Sequence, residues 1–430
     1  METSNSLAPV ISLPEKISLR PPEVTMLSNG VSAWISSGAQ QDLIRVQLVM
    51  EAGRWFEPKK ETAHFTSRLL KSGTKSKTAA QINEEIEFYG ASLSVGNSGD
   101  WAEVSLFTLT KHLEQMLTLI RSVLHEATFP EDELVHEKEL RKHRLSLNRE
   151  KVDYLAKQAF LETLFGGDHP YGYPRQEGTI DAVTTEDLRR FHADRYTPDQ
   201  ARLFVAGKVS DREMKLIESY LGQGFPARAA SPNGQHHLTI EANGLKRFVE
   251  KKGAVQASIR MGRKIPMPGH PDYPRLRVLN IVLGGYFGSR LMKNLRETHG
   301  YTYGVHSVIS HYRHEAFHVI ATEVGEQYVD DAVVQIRHEL DRLRGEPVPQ
   351  EELDLMRNFT LGTLLSSTDG PFKTGHVIKD LVMDGRGPGA FDDFVKTIRT
   401  ITATDLQSLA EEYLDPDDMT LVIAGSKMAQ

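Results

Sequence analysis

Thr184-Thr185-Glu186-Asp187-Leu188, followed by Pro198-Asp199 and then Val205-Ala206-Gly207, returns later in the chain as Thr402-Ala403-Thr404-Asp405-Leu406, Pro416-Asp417 and Ile423-Ala424-Gly425. Pro198 and Pro416 lie 218 residues apart, and so do Gly207 and Gly425. Each copy reads as a helix capped by its threonine, a turn at the proline, and a closing apolar strand. Repetition at so long a period means a duplicated domain rather than a solenoid. Between the copies, residues 226–237 are small, polar and turn-rich, which marks a boundary. The chain therefore divides into a tail over 1–23, a first domain over 24–225, a linker over 226–238 and a second domain over 239–430.

Periodicity fills in the domains. Ile44, Val46, Leu48 and Met50 alternate as a half-buried strand, and a helix carrying residues 64–68 follows. Thr78 and Gln81 form a capping-box pattern, and Gly90 ends that helix. Strands over 91–97 and 101–110 precede an amphipathic helix with Leu113, Met116, Leu117, Ile120 and Leu124 on one stripe. Pro130 opens a helical stretch to about Phe165. The second domain repeats this order loosely, with a strand over 254–263, helices near 274–283 and through Arg296, strands to Val324, and then several helices. The expected class is α+β, two homologous domains that each pack a mostly antiparallel sheet against helices.

Composition removes several functions. A chain of 430 residues with 39% hydrophobic and 25% charged residues is an ordinary globular protein too long for one core. Its net charge of -7, without a basic block, argues against nucleic acid as a partner. No apolar run reaches the length of a membrane span. With no cysteine, disulfides, thiolate metal sites and cysteine nucleophiles are excluded. Residues 1–22 lack the charged-then-apolar order of a secretion signal, so the expected compartment is the cytoplasm, or the periplasm if a signal has been removed.

The chemistry of His64-Phe65-Thr66-Ser67-Arg68 is that of an altered H-x-x-E-H. The intact motif puts two histidines on one helix face to hold zinc, with a glutamate beside them to activate the zinc-bound water. Here only His64 keeps its type. Ser67 cannot replace the base, and the guanidinium of Arg68 has no lone pair to give a metal. A unit positive charge about 4 Å from a divalent ion is repelled by roughly 8 kcal/mol at an effective dielectric near 20.

The frame around this centre resembles the pitrilysin/insulinase (inverzincin) family of zinc peptidases. Glu51-Ala52-Gly53-Arg54-Trp55-Phe56-Glu57-Pro58, Thr62-Ala63-His64-Phe65 and Leu69-Leu70-Lys71-Ser72-Gly73-Thr74 carry the likeness. The family takes a third ligand from a glutamate pair in a later helix. Matching Glu137-Lys138-Glu139-Leu140 to that helix puts His143 and Arg144 at the pair, so the resemblance implies that the third ligand is lost too. The other half of the family's machinery is kept. Leu283-Gly284-Gly285-Tyr286-Phe287-Gly288-Ser289-Arg290-Leu291 and Leu295-Arg296-Glu297-Thr298-His299-Gly300-Tyr301-Thr302-Tyr303 resemble its L-G-G-x-x-x-S-R-L...R-E-x-x-G-x-x-Y segment. This places the family's substrate-gripping arginine and tyrosine on Arg296 and Tyr303. A guanidinium and a phenol both donate to a peptide carbonyl and to the oxyanion it becomes, and losing one such donor costs on the order of 3 kcal/mol.

A second zinc signature, His314-Glu315-Ala316-Phe317-His318, matches H-E-x-x-H. Its neighbours alternate, Val305, Ser307 and Ile309 before and Val319, Ala321 and Glu323 after, so it reads as two strands joined near Arg313. On a strand, residues i and i+4 stand about 13 Å apart at roughly 3.3 Å per residue, too far for one metal ion. His311, His314 and His318 are expected to face solvent. Gly284-Gly285-x-x-Gly288 is too short for a dinucleotide fingerprint.

The resemblance implies a clamshell fold and a non-metal-binding subunit of a hetero-oligomeric zinc peptidase. Arg296 and Tyr303 would serve peptide substrates at the zinc site of a related partner with an intact H-x-x-E-H. The chain itself is expected to hold no metal and to be inactive alone. The alternatives are a scaffold subunit with no part in proteolysis, and an autonomous zinc peptidase acting through His314, Glu315 and His318.

Overall fold

The computed structural model describes residues 16–223 and 243–426, so the expected linker over 226–238 and residues 1–15 of the expected tail lie outside the described residues. The first sheet holds β1 (Glu23–Met26), β2 (Ser32–Ser37), β3 (Leu43–Met50), β4 (Ser92–Asn97), β5 (Ala102–Leu109) and β6 (Ala201–Gly207), in spatial order β1-β2-β6-β3-β5-β4. Its half of the chain adds α1 (Thr62–Leu69), α2 (Ala79–Phe88), α3 (Leu113–Glu126), α4 (Glu131–Arg149), α5 (Val152–Phe165), α6 (Glu177–Asp181), α7 (Thr185–Arg195) and α8 (Asp211–Ile217). The second sheet holds β7 (Lys246–Glu250), β8 (Gln256–Ile265), β9 (Val305–His311), β10 (Ala316–Gly325) and β11 (Thr420–Gly425), in order β7-β11-β8-β10-β9. With it come α9 (Tyr273–Asn280), α10 (Val329–Gly345), α11 (Gln350–Ser367), α12 (Gly370–Met383), α13 (Gly389–Thr400) and α14 (Ala403–Tyr413). Both sheets are mostly antiparallel, as expected. The parallel pairs are β2 with β6 and β7 with β11.

The duplicated segments fall on matching elements, α7 with β6 and α14 with β11. The Asp187 N–H donates to the Thr184 hydroxyl at 3.2 Å and the Thr184 N–H to the Asp187 carboxylate at 2.8 Å. Asp405 and Thr402 repeat this at 3.1 and 2.9 Å. Two of the first turn's orphan N–H groups are thus satisfied in each copy. Gly207 closes the first copy at φ +127, where a Cβ would stand 2.3 Å from the Leu43 carbonyl, so the strand end needs glycine.

Helix α2 carries the expected box between Thr78 and Gln81, with Gly90 at φ +57 just past its end. All five residues of the α3 stripe are buried. At 25 cal/mol per Å², burying a leucine or isoleucine contributes about 2 kcal/mol, so that stripe alone supplies the larger part of what anchors the helix.

Two expectations need correction. The stretch from Pro130 to Phe165 is two helices, broken at Glu150 and Lys151. The break lets α5 leave its own half and pack on β8 and β11 of the second sheet, while α12 returns the exchange on β2 and β6 of the first. Lys251 fastens the turn, its Nζ 2.6 Å from Glu150. Within the tail, Ile17 and Leu19 are buried with the core of the second half, so those residues are docked.

Candidate functional site

The altered motif lies on α1, as expected, and its face lines a cavity of about 570 Å³. Phe65 and Leu69 anchor α1 in the core, which turns His64, Ser67 and Arg68 toward the cavity. Ser67 is buried and donates back to the His64 carbonyl at 3.0 Å, so its hydroxyl is spent inside the helix. His64 Nε2 has neither solvent nor a partner. Burial and the guanidinium groups of Arg141, Arg175, Arg144 and Arg68 hold the His64 imidazole well below its ordinary range.

Helix α4 supplies the opposite wall. Glu137, Arg141 and Arg144 recur at helical spacing, and Arg141 and Arg144 line the cavity, whereas His143 is exposed and does not. Arg68 Nε lies 3.4 Å from Glu137 Oε1, and Arg144 pairs with the same oxygen. Arg141 Nη2 donates to Glu61 at 2.8 Å, with Arg175 Nε 3.7 Å away. Glu61 is 2% exposed and holds φ +74, a left-handed conformation uncommon for a glutamate. Burial pushes the Glu57 carboxyl up to about 7, although the Tyr173 hydroxyl and the Ala63 N–H both donate to it.

These residues do not fit zinc. Of the positions that would ligate it, only His64 brings a lone pair to the cavity, His143 being exposed outside it, and Arg68 and Arg144 bring positive charge instead. No group of three histidines or carboxylates that could hold a metal ion occurs among the described residues. Sequence reading left out Glu61, Arg141 and Arg175. The spacing of Glu137, Arg141 and Arg144 was the available signal for Arg141, while Glu61 and Arg175 come from loops that only the fold brings together.

Arg296 and Tyr303 stand elsewhere. Arg296 sits in a wide π-helical turn, Met292–Thr298, whose Met292 and Leu295 are buried while the Arg296 guanidinium rests 4.7 Å from the centre of the Phe287 ring. Tyr303 is 93% exposed. Its backbone is nonetheless held, because Thr302 both donates to the Gly304 carbonyl and accepts from its N–H, at 2.9 and 3.0 Å, and Tyr301 stacks on Tyr328. Phe287, against the Arg296 guanidinium, is exposed, as are Leu355 and Phe359 on α11, with Tyr286 stacked on Phe359 at 4.9 Å. Neither residue lines the His64 cavity. Tyr312, which does, is separated from Tyr303 by the length of β9, and Val305 to His311 alone spans about 20 Å at roughly 3.3 Å per residue.

The H-E-x-x-H segment is not helical: His314 and Glu315 form the turn between β9 and β10, and His318 lies on β10. The expectation that its histidines face solvent holds for His314, which is exposed, but fails for His318 and in part for His311, which is half-buried. His318 is buried, with Nε2 2.6 Å from the Ser307 hydroxyl, which donates to Asn280. His314 stacks on Trp55 at 4.0 Å, and His311 Nε2 lies 2.6 Å from Asp384. The turn is a clasp between the halves. Tyr312 stacks on Tyr171 at 4.0 Å, and the Arg313 N–H donates at 2.9 Å to Asp100, whose other oxygen accepts from the Tyr171 hydroxyl. Alternation gave the strands correctly, but the sheet is covered on the face where His318 points.

Two sheets faced by helices, with a duplicated capped-helix-and-strand unit, define a two-domain α+β peptidase fold. The family description "Insulinase (Peptidase family M16)" matches residues 34–169, and "Peptidase M16 inactive domain" matches 182–359. The chain belongs to the insulinase family of peptidases. It is similar to the "Uncharacterized zinc protease YmxG" of Bacillus subtilis, 24% identical over 94% of each chain. A further similarity is to an uncharacterized zinc protease of Mycobacterium leprae, 26% identical over 90% of this chain and 85% of that one. Among solved structures, a peptidase M16 inactive domain from Pseudomonas fluorescens superposes with a TM-score of 0.86 at 22% identity, covering 96% of this chain and 99% of that one. The periplasmic protease PqqL of Escherichia coli gives 0.79 at 16% identity, covering 99% of this chain and 48% of its own. No helix among the described residues is long and apolar enough to cross a membrane.

Proposed function

We propose that this chain is the non-metal-binding subunit of a hetero-oligomeric insulinase-like peptidase. Its partner is a related subunit with an intact H-x-x-E-H, which supplies the zinc and the hydrolytic centre. Arg296 and Tyr303 reach that centre from this chain, and each donates to the carbonyl oxygen of a bound peptide and to the negative charge that develops on it.

One observation carries this reading: Tyr303 is 93% exposed on a backbone held by its neighbours, far along β9 from the chain's own motif cavity. A phenol on a backbone held by its neighbours but left uncovered suits a site completed by another molecule. The exposed ring of Phe287 against Arg296 suits a protein partner, since aromatic residues dominate the centres of such interfaces.

The test is reconstitution. Neither this chain nor its intact relative should cleave peptides efficiently when assayed separately, and mixing them should raise hydrolysis at least tenfold with a chelator-sensitive rate. Full activity of the relative alone, unchanged on mixing, would remove this chain from the reaction.

A further inference from the structure

The cavity at the altered motif has been rebuilt rather than merely emptied. Arg54, Arg68, Arg141, Arg144, Lys157 and Arg175 line it. Three carboxylates face these six cations. Glu61 is shared by Arg141 and Arg175, Glu137 by Arg68 and Arg144, and Glu57 accepts from the Tyr173 hydroxyl and the Ala63 N–H. Among the described residues neither Arg54 nor Lys157 has a carboxylate within ion-pair distance, although Arg54 acts on Glu57 from further off. Arg54 instead donates to the Tyr173 carbonyl at 3.1 Å and lies over the Tyr173 ring. The surplus is about three positive charges around one cavity, and low-dielectric walls focus such a field on whatever enters. Burial first, and then these guanidinium groups, depress the basicity of His64.

We propose that this cavity is an anion site that takes an oxyanion, a carboxylate or a phosphate group, in the position where relatives would hold their metal. Arg68 and Arg144 are the principal grips. Each is about half exposed and shares one oxygen of Glu137, so each guanidinium keeps N–H groups free to turn to a ligand. The planar fork matches the paired oxygens of either anion, and Lys157 adds an adaptable point charge from α5. A volume of about 570 Å³ admits an acidic side chain with its backbone as readily as a small free anion. The inference is independent of the role given to Arg296 and Tyr303.

The test uses the full chain alone, by calorimetry at ionic strength matched with chloride. The probes are inorganic phosphate, a capped tetraglutamate peptide, and a capped tetraglutamine peptide as the neutral control. Saturable binding of phosphate or of tetraglutamate, absent with tetraglutamine, is expected. The tighter of the two tells whether a free anion or an acidic peptide is the natural source. The double variant Arg68→Gln/Lys157→Gln changes two accessible side chains and should weaken binding about tenfold or more, the loss expected when charge-assisted contacts are removed. Location is read independently in the unmutated chain from the His64 ring proton resonance, assigned by its loss in His64→Gln, which should move with saturation. Absence of saturable binding by either anion, or binding that leaves the His64 resonance unmoved, overturns the proposal.

Discussion

Arg68, on α1, lies 3.4 Å from the Glu137 carboxylate on α4, so an ion pair spans the gap between the two helices at the altered motif. The pair ties the same two helices without a cation from solution. It also fixes the sign of the site, because a guanidinium cannot be deprotonated to make room for zinc.

Restoring the motif should therefore fail. Ser67→Glu with Arg68→His returns the base and a second ligand beside His64 but leaves Arg144 and Arg141 facing the cavity and no third ligand in place. Metal analysis of that double variant is expected to find well under one zinc per chain. Stoichiometric zinc with peptidase activity would mean that the third ligand lies elsewhere.

Removing Arg141, whose side chain is largely buried, should damage stability. Glu61 is 2% exposed, and Arg141→Gln leaves its charge to Arg175 at 3.7 Å alone. Breaking a buried pair in this way costs about 3 kcal/mol, which urea unfolding would report as a clearly lowered midpoint. A midpoint within error of the unmutated chain would show that the Glu61 charge is solvated after all.

Acid should unfold the chain early. Burial holds His192 and His318 near 4, below the ordinary imidazole value near 6.5. As the pH falls the unfolded chain takes up these protons first, so this stability is intact above about 6.5 and lost between about 6.5 and 4. Glu57, pushed up to about 7, works in the opposite sense with the raised carboxyls of Asp100, Glu323 and Asp380, but the imidazoles of His64, His125, His306 and His314 are held down as well and outweigh them. The urea midpoint is expected to fall from pH 7 to pH 5, and less so in His318→Gln, which keeps a donor toward Ser307. A midpoint that rises or stays level would contradict the neutral, buried state of these rings.

Legibility in the sequence followed locality. The boxes at Thr78, Thr184 and Thr402 involve residues three apart, so the pattern and the geometry coincide. The repeat likewise fixed the pairing of α7 and β6 with α14 and β11. The break at Glu150 was not legible, because α5 is set by the second sheet it crosses to, not by its own residues. Burial of His318 was hidden for a related reason: alternation tells which residues share a face, not whether that face is covered. Of the cavity, α1 and Arg144 were legible. Glu61 and Arg175 were not, since nothing in sequence links them to α4.

The H-E-x-x-H segment should prove structural. Glu315 faces Lys264 at 3.0 Å beside the clasp formed by Tyr312, Arg313 and His314. In the reconstituted complex, Glu315→Gln is expected to leave peptide hydrolysis within about twofold, since an accessible ion pair contributes little. A loss of several hundredfold would give this glutamate the role of a catalytic base.

The most direct test of the account is the turnover of the reconstituted complex when this chain carries Tyr303→Phe. The substitution deletes one hydroxyl and keeps the ring for packing at the interface. The account predicts unchanged assembly with hydrolysis cut about a hundredfold, as for loss of one oxyanion donor, and a comparable loss in Arg296→Ala. Normal assembly with turnover at the unmutated rate in both variants would contradict it and leave the chain a scaffold.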